Sequence, residues 1–185
     1  MDYYIYYDLY NERILPIEYD GNTVFGNSNW SPFYNEDDAD FARALLNHIS
    51  VEHFKAPFVL EGGSIHVDGD GTLMTTEQCL LHPNRNPELD QEEIEQLLRE
   101  HLNVHNIIWL GEGLMDDETD GHVDNLACFI KPGAVMALIS SDPEDENYEV
   151  LQDNLLRLKH AKDARERSLE IITVEQPEAL SLIHI

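Results

Sequence analysis

The sequence predicts an α/β fold assembled from a repeated strand–strand–helix–strand unit, and three observations carry that reading. Short apolar runs, rich in β-branched and aromatic residues, have the length of strands. Stretches with apolar residues at helical spacing lie between them, opened by an acidic capping residue. The whole pattern returns at a spacing of roughly 60 residues, which points to an array of like units.

In the first unit, residues 3–7 and 14–19 read as strands, with Asn11-Glu12-Arg13 as the turn between them. Asp37 or Asp38 caps a helix running to about His48, with Phe41, Leu45 and Ile49 on one side. Residues 58–60 close the unit as a strand. The second unit begins with a strand at 64–67. Asp68-Gly69-Asp70-Gly71 is a hairpin signal, and a strand at 72–76 returns. Asp90 caps a helix to about His101 with Ile94, Leu97 and Leu98 inward, and 106–110 is the closing strand. The third unit has strands at 126–130 and 134–139 around a turn at Lys131-Pro132-Gly133. A helix from Glu144 to about His160 follows, with Val150, Leu151, Leu155 and Leu158 inward, then a strand at 169–174. Units of this kind pack radially, and such rings hide their strand edges by closing. Three units leave a ring open, so residues 1–185 are expected to form one α/β domain that is incomplete at both ends.

The composition narrows the function. Asp and Glu total 37 against 11 Lys and Arg, a net charge of −26. Such a surface repels phosphate backbones, which argues against nucleic acid as a partner. It would steer a small cation toward acidic clefts, or simply serve as a solvated face. No apolar run approaches the roughly 18 residues of a membrane helix, so no membrane partner is expected. The opening Met1-Asp2-Tyr3-Tyr4 has neither the basic nor the apolar part of a secretory signal. Two cysteines, Cys79 and Cys128, make no disulfide framework. The expected location is therefore the cytoplasm.

Two segments stand out chemically. One is Glu61-Gly62-Gly63-Ser64-Ile65-His66-Val67-Asp68, followed by Thr75-Thr76-Glu77; the other is Gly121-His122-Val123-Asp124-Asn125. Each lies at a strand edge in an equivalent place of consecutive units, where a radial array brings strand ends together. Glu61, His122 and Asp124 are therefore expected to line one cleft. In an extended segment His122 and Asp124 would face the same side. A carboxylate can hold a planar guanidinium through paired, charge-assisted hydrogen bonds, and a histidine exchanges protons near neutral pH. Taken singly, each feature also has an ordinary structural explanation: Gly62-Gly63 as a turn, Asp68–Gly71 as a hairpin, His66 as a strand residue, Asn84-Arg85-Asn86-Pro87 as a loop.

In combination, these segments, with the run over 60–87, resemble the agmatine deiminases of the bacterial-type peptidyl-arginine deiminase family. The likeness extends over about 35–177. It implies a partial five-bladed α/β propeller, of which about three ββαβ units are present. It implies hydrolysis of a guanidine to a ureide and ammonia, specifically of agmatine to N-carbamoylputrescine in polyamine (putrescine) biosynthesis, with no metal and no organic cofactor. The partner it implies is a cationic guanidine such as agmatine, and it is compatible with a homo-oligomer. By the same resemblance His122 is the general acid/base, Glu61 the acid beside it and Asp124 a guanidinium-binding acid. Asp2 falls near the place of a second such acid, although the arginine, glycine and proline around that acid in the family are missing. Trp30 lacks its expected glycines.

The family's nucleophilic cysteine belongs to a C-terminal glycine-rich segment that 179–185 do not resemble. Cys128 is six residues beyond His122 and Cys79 is expected away from both motifs, so this chain alone is expected to be inactive. Three alternatives stay open: a peptidyl-arginine deiminase, a non-catalytic guanidine- or polyamine-binding module, and a metal hydrolase using His66, Asp68, His122 and Asp124.

Overall fold

The computed structural model describes residues 4–8, 13–17 and 41–177. Contacts gather into two units, Met1–Gly62 with Leu80–Val104, and Gly63–Cys79 with His105–Ile185.

In the first unit, strands β1 (Tyr4–Asp8) and β2 (Arg13–Ile17) pair antiparallel, with Tyr4 opposite Ile17 and Asp8 opposite Arg13. The third strand, β3 (His53–Lys55), joins the free edge of β1, also antiparallel, giving the order β2-β1-β3. The expected closing strand at 58–60 does not form. Among the described residues β2 is an edge strand, which suits Pro16: it lacks an N–H, and such a residue is confined to the edge of a sheet. Asn86 explains what 58–60 do instead. Its amide behaves like a neighbouring strand, accepting from Val59 N at 2.8 Å and donating to Val59 O at 3.1 Å. Phe58 and Leu60 on either side are thereby freed to enter the core.

Helix α1 (Phe41–His48) buries Leu46, while Leu45 and Ile49, expected inward, are 38% and 52% exposed. Its inner stripe is turned by one position. The next long helix of this unit, Gln91–Leu102, starts where the capping reading placed it. Asp90 accepts from Glu93 N at 2.9 Å and Glu93 answers to Asp90 N at 3.0 Å, a reciprocal cap that satisfies two orphan donors. Ile94 and Leu98 are fully buried.

The second unit holds two three-stranded sheets. In one, β4 (Ile65–Val67) is antiparallel to β5 (Thr72–Thr76), and β5 is parallel to β6 (Asn106–Leu110). In the other, β7 (Ala127–Lys131) is antiparallel to β8 (Ala134–Ile139), and β8 is parallel to β9 (Glu170–Glu175). Parallel neighbours need a crossover, supplied for the second sheet by a helix at Tyr148–His160. That helix begins four residues later than expected. The carboxylates of Asp142 and Asp145 accept from the backbone N–H groups of Glu144 and Asn147, folding 142–147 into side-chain-bonded turns that compete with helix. The β4–β5 hairpin closes as expected: Asp68 Oδ1 accepts from Asp70 N and Thr72 N, and Gly69 and Gly71 take positive φ. Met74, Ile108 and Leu110 pack with Phe129, Val135, Leu151 and Leu158 into one core. Among the described residues no helix is long and apolar enough to cross a membrane.

Candidate active site

The site is reached along the segment that leaves β6. Buried Asn154, on the crossover helix, accepts from Gly111 N and donates to Glu112 O, both at 2.8 Å. Gln78 Oε1 accepts from Gly113 N and Asn147 Oδ1 from Met115 N, each at 2.7 Å. The chain then loops back on itself, so that a Cβ on Gly113 would lie 2.3 Å from Gly121 Cα. Side chain is excluded there by backbone contact. Gly121, at φ +87°, is the last residue before the histidine motif, and its carbonyl accepts from Thr76 Oγ1 at 2.6 Å.

His122, Val123 and Asp124 are not an extended run. Val123–Asn125 forms a single 3₁₀ turn with His122 as its N-cap. Val123 is fully buried in the core and roots the turn, leaving His122 half-buried and Asp124 exposed. The two still converge, by a different route from strand alternation. Gly63, in the 3₁₀ turn Gly62–Ser64, sits against both: a Cβ there would be 2.3 Å from His122 Nδ1 and 2.7 Å from Asp124 Oδ2. Those two atoms thus lie within 2.7 Å of one common point. An imidazole and an accessible carboxylate brought together this closely can grip a planar cation and exchange a proton with it.

Cys79 is not remote from the motif, contrary to expectation. It is fully buried, and its Sγ lies within 4.8 Å of a His122 ring nitrogen. A short helix, α2 (Glu77–Leu80), follows β5 directly, and Thr76 Oγ1 accepts from Cys79 N at 3.1 Å at their junction while donating to Gly121 O, which ties this turn to the residue before His122. Cys128 sits half-buried on β7.

His66 has a structural bond: its Nδ1 lies 3.2 Å from Phe129 N and accepts that hydrogen, which leaves Nε2 to carry the ring proton of the neutral form. Burial lowers its pKa, while the Asp124 charge pulls it upward. Asp68 is engaged in its hairpin turn, so two of the four groups of the metal-hydrolase alternative hold structural bonds.

Glu61 belongs to the first unit, where its Oε2 accepts from Arg85 Nε at 2.6 Å. Both side chains are largely buried, 18% and 9% exposed, so the bond is charge-assisted and poorly screened. The 84–87 segment, read first as a loop, therefore supplies the partner of Glu61 through Arg85 and a backbone clamp through Asn86. Asp2 and Trp30 lie outside the described residues. Gly63 and Gly113 had no signal beyond being glycines near a motif, because what demands them is a neighbour distant in sequence.

The chain belongs to the Porphyromonas-type peptidyl-arginine deiminase family, whose pattern residues 17–184 match. Several of the proteins it is similar to are named agmatine deiminases. A Legionella pneumophila protein provisionally named as one is 55% identical over 141 residues, 76% of this chain and 40% of that one. The solved agmatine deiminase of Enterococcus faecalis superposes with a TM-score of 0.76 at 40% identity, covering 90% of this chain and 46% of that chain. A C. jejuni agmatine deiminase with substrate bound superposes at 0.73 and 31% identity, covering 91% and 48%. The chain spans less than half the length of these proteins. The α/β class and the ββαβ units of a partial propeller are as the sequence led one to expect.

Proposed function

We propose that this chain carries the acid/base and guanidinium-binding part of a guanidine deiminase that converts agmatine to N-carbamoylputrescine and ammonia, in the cytoplasm and in service of putrescine formation. The observation that supports it most is the convergence of His122 Nδ1 and Asp124 Oδ2 on Gly63. Asp124 binds guanidinium nitrogens, and its exposure leaves it open to a ligand. His122 delivers a proton to the departing ammonia and later takes one from the attacking water. Glu61 is the second acid of the pair with histidine, and Asp2 a second guanidinium ligand, both carried over from the family. The relatives' names, and the substrate-bound C. jejuni structure, support agmatine as the guanidine. The charge of −26 favours approach of such a dication.

The decisive measurement is an agmatine titration followed through the histidine ring signals of the labelled chain, with Asp124→Asn beside it. Saturable shifts at His122 that the variant loses are expected. No response at millimolar agmatine, or an equal response to an arginine-containing peptide, would sink the agmatine reading. An ammonia assay completes the test. The chain alone should release none from agmatine, since the Cys79 thiol is fully buried and the family's catalytic step needs a presented thiolate. Release that disappears in Cys79→Ala would instead make that thiol the nucleophile.

A further inference from the structure

The loop before His122 is held in a conformation that its own backbone disfavours. Asp116, Asp120 and Gly121 take φ of +57°, +55° and +87°. Two of the three are not glycine, and such residues persist in the left-handed region only where their surroundings over-determine them. Within this loop the Asp117 carboxylate gathers several of the bonds. Asp117 Oδ1 accepts from Thr119 N at 3.0 Å, and Oδ2 accepts from Gly121 N at 3.0 Å. The Thr119 hydroxyl lies 2.7 and 2.6 Å from the two oxygens. Asn125 Nδ2 approaches Oδ1 at 3.4 Å from the far side of the turn.

The bonds bracket the site: Gly121 precedes His122 and Asn125 follows Asp124. An ionised carboxylate can only accept, so the Thr119 hydroxyl donates to Asp117 and is left to accept from His122 N, at 3.3 Å. The peptide group that joins Gly121 to His122 is therefore tied at both ends, its carbonyl by Thr76 and its N–H by Thr119.

We propose that Asp117 is a positioning residue of this site: it fixes the backbone on either side of His122 and Asp124 so that imidazole and carboxylate meet over Gly63. The proposal rests on the reading of those two residues as the proton-transfer and guanidinium-binding groups. Asp117 touches no reacting atom and acts through Gly121, Asn125 and, by way of Thr119, the His122 amide. Burial alone would raise its pKa, but the donors from Thr119, Gly121 and Asn125 outweigh that and hold it below the ordinary carboxylate value, so the clamp keeps its charge at neutral pH.

The test uses the whole chain with labelled histidines, comparing Asp117→Ala, Asp117→Asn and Thr119→Val with the unaltered protein. In Asp117→Ala the pH profile of the His122 ring signal should move, and agmatine should bind about ten-fold more weakly, the size expected for one charge-assisted hydrogen bond. Signals of His101 and His160, whose rings bond the backbone of their own helices, should stay in place. Asp117→Asn keeps one acceptor and should fall between the two. A folded Asp117→Ala whose His122 profile is unchanged overturns the proposal, as does one in which His101 and His160 move as much as His122. Should Asp117→Ala fail to fold, Thr119→Val gives the same readout with the carboxylate intact. Failure of the unaltered chain to respond to agmatine counts against the guanidine reading alone, since the His122 profile still decides the role of Asp117.

Discussion

Gly63 and the His122 imidazole occupy space that admits no side chain between them: a methyl group on residue 63 would come within 2.3 Å of Nδ1. That is well inside van der Waals contact, and the atom struck belongs to a rigid ring, which can clear the methyl group only by moving as a whole. Gly63→Ala should therefore displace His122 or the Gly62–Ser64 turn. Overpacking of this kind costs about 1–3 kcal/mol. A lowered urea midpoint together with loss of the agmatine-induced His122 shifts is expected. Unchanged binding and stability would mean that the two segments do not touch as described.

The second prediction concerns acid. Burial holds the His66 pKa below the ordinary 6.5, the nearby Asp124 charge opposing it. A depressed histidine pKa means that the unfolded chain takes up the proton first. The stabilisation tied to neutral His66 is then complete above about pH 6.5 and is lost as pH falls through the folded value. Urea melts between pH 7.5 and about 5 should show stability declining with acid. In His66→Asn, which can still accept from Phe129 N but cannot titrate, the decline should be shallower. An identical slope in both proteins would remove His66 from the account. Asp117 and Asp163, whose pKa values are also lowered, lose their contributions only further into acid, below the ordinary carboxylate value of 3.8.

The reciprocal cap of Asp90 and Glu93 is a clean place to measure a local contribution in the first unit, because both side chains are exposed. Asp90→Ala should destabilise the chain by about 1 kcal/mol, and Asp90→Asn by much less. Thermal or urea melts of the pair give the difference. Equal loss in both variants would show that charge, not the capping bond, is what matters.

These particulars show what a sequence displays and what it hides. Local chemistry was legible: the Asp90 cap, the Asp68 hairpin and the 72–76, 106–110 and 134–139 strands lie where propensity and turn residues put them. Elements decided by distant partners were not. Residues 58–60 look like a strand, but Asn86, 27 positions away, satisfies Val59. His122 and Asp124 were expected to converge by alternation in a strand, whereas a 3₁₀ turn rooted on buried Val123 brings them together. Cys79 was placed far from His122 because a four-residue helix at a strand end carries no periodic signal. Asp117 was passed over because, in an acidic chain with 37 carboxylates, nothing marks the one that is caged.

The final prediction follows from a difference between two equivalent surfaces in the second unit. Its sheets repeat one register: His66 faces Met74 and Met74 faces Ile108 in the first, as Cys128 faces Met136 and Met136 faces Ile172 in the second. The burial is opposite. Met74, Ile108 and Leu110 are at most 5% exposed, covered by the second sheet and its helix. Their counterparts Met136, Ile172 and Val174 are 37%, 45% and 42% exposed, with Ile130 beside them at 49%. Side chains at alternate positions of adjacent strands make this one contiguous apolar face, and surfaces of that kind drive association. The charge of −26 opposes it by repulsion between molecules. That repulsion is screened by salt, over about 8 Å at physiological ionic strength and about 3 Å at 1 M. The purified chain should therefore be least associated at low salt and should self-associate as salt is added. Light scattering across a salt series is the measurement, with Ile172→Lys as the comparison. Lysine there places a charge in the middle of the face without disturbing the β8–β9 hydrogen bonds, so the salt-induced rise should largely vanish. A chain that stays monomeric at 1 M salt, or a variant that associates as readily as the unaltered protein, would show that this face is not what brings molecules together.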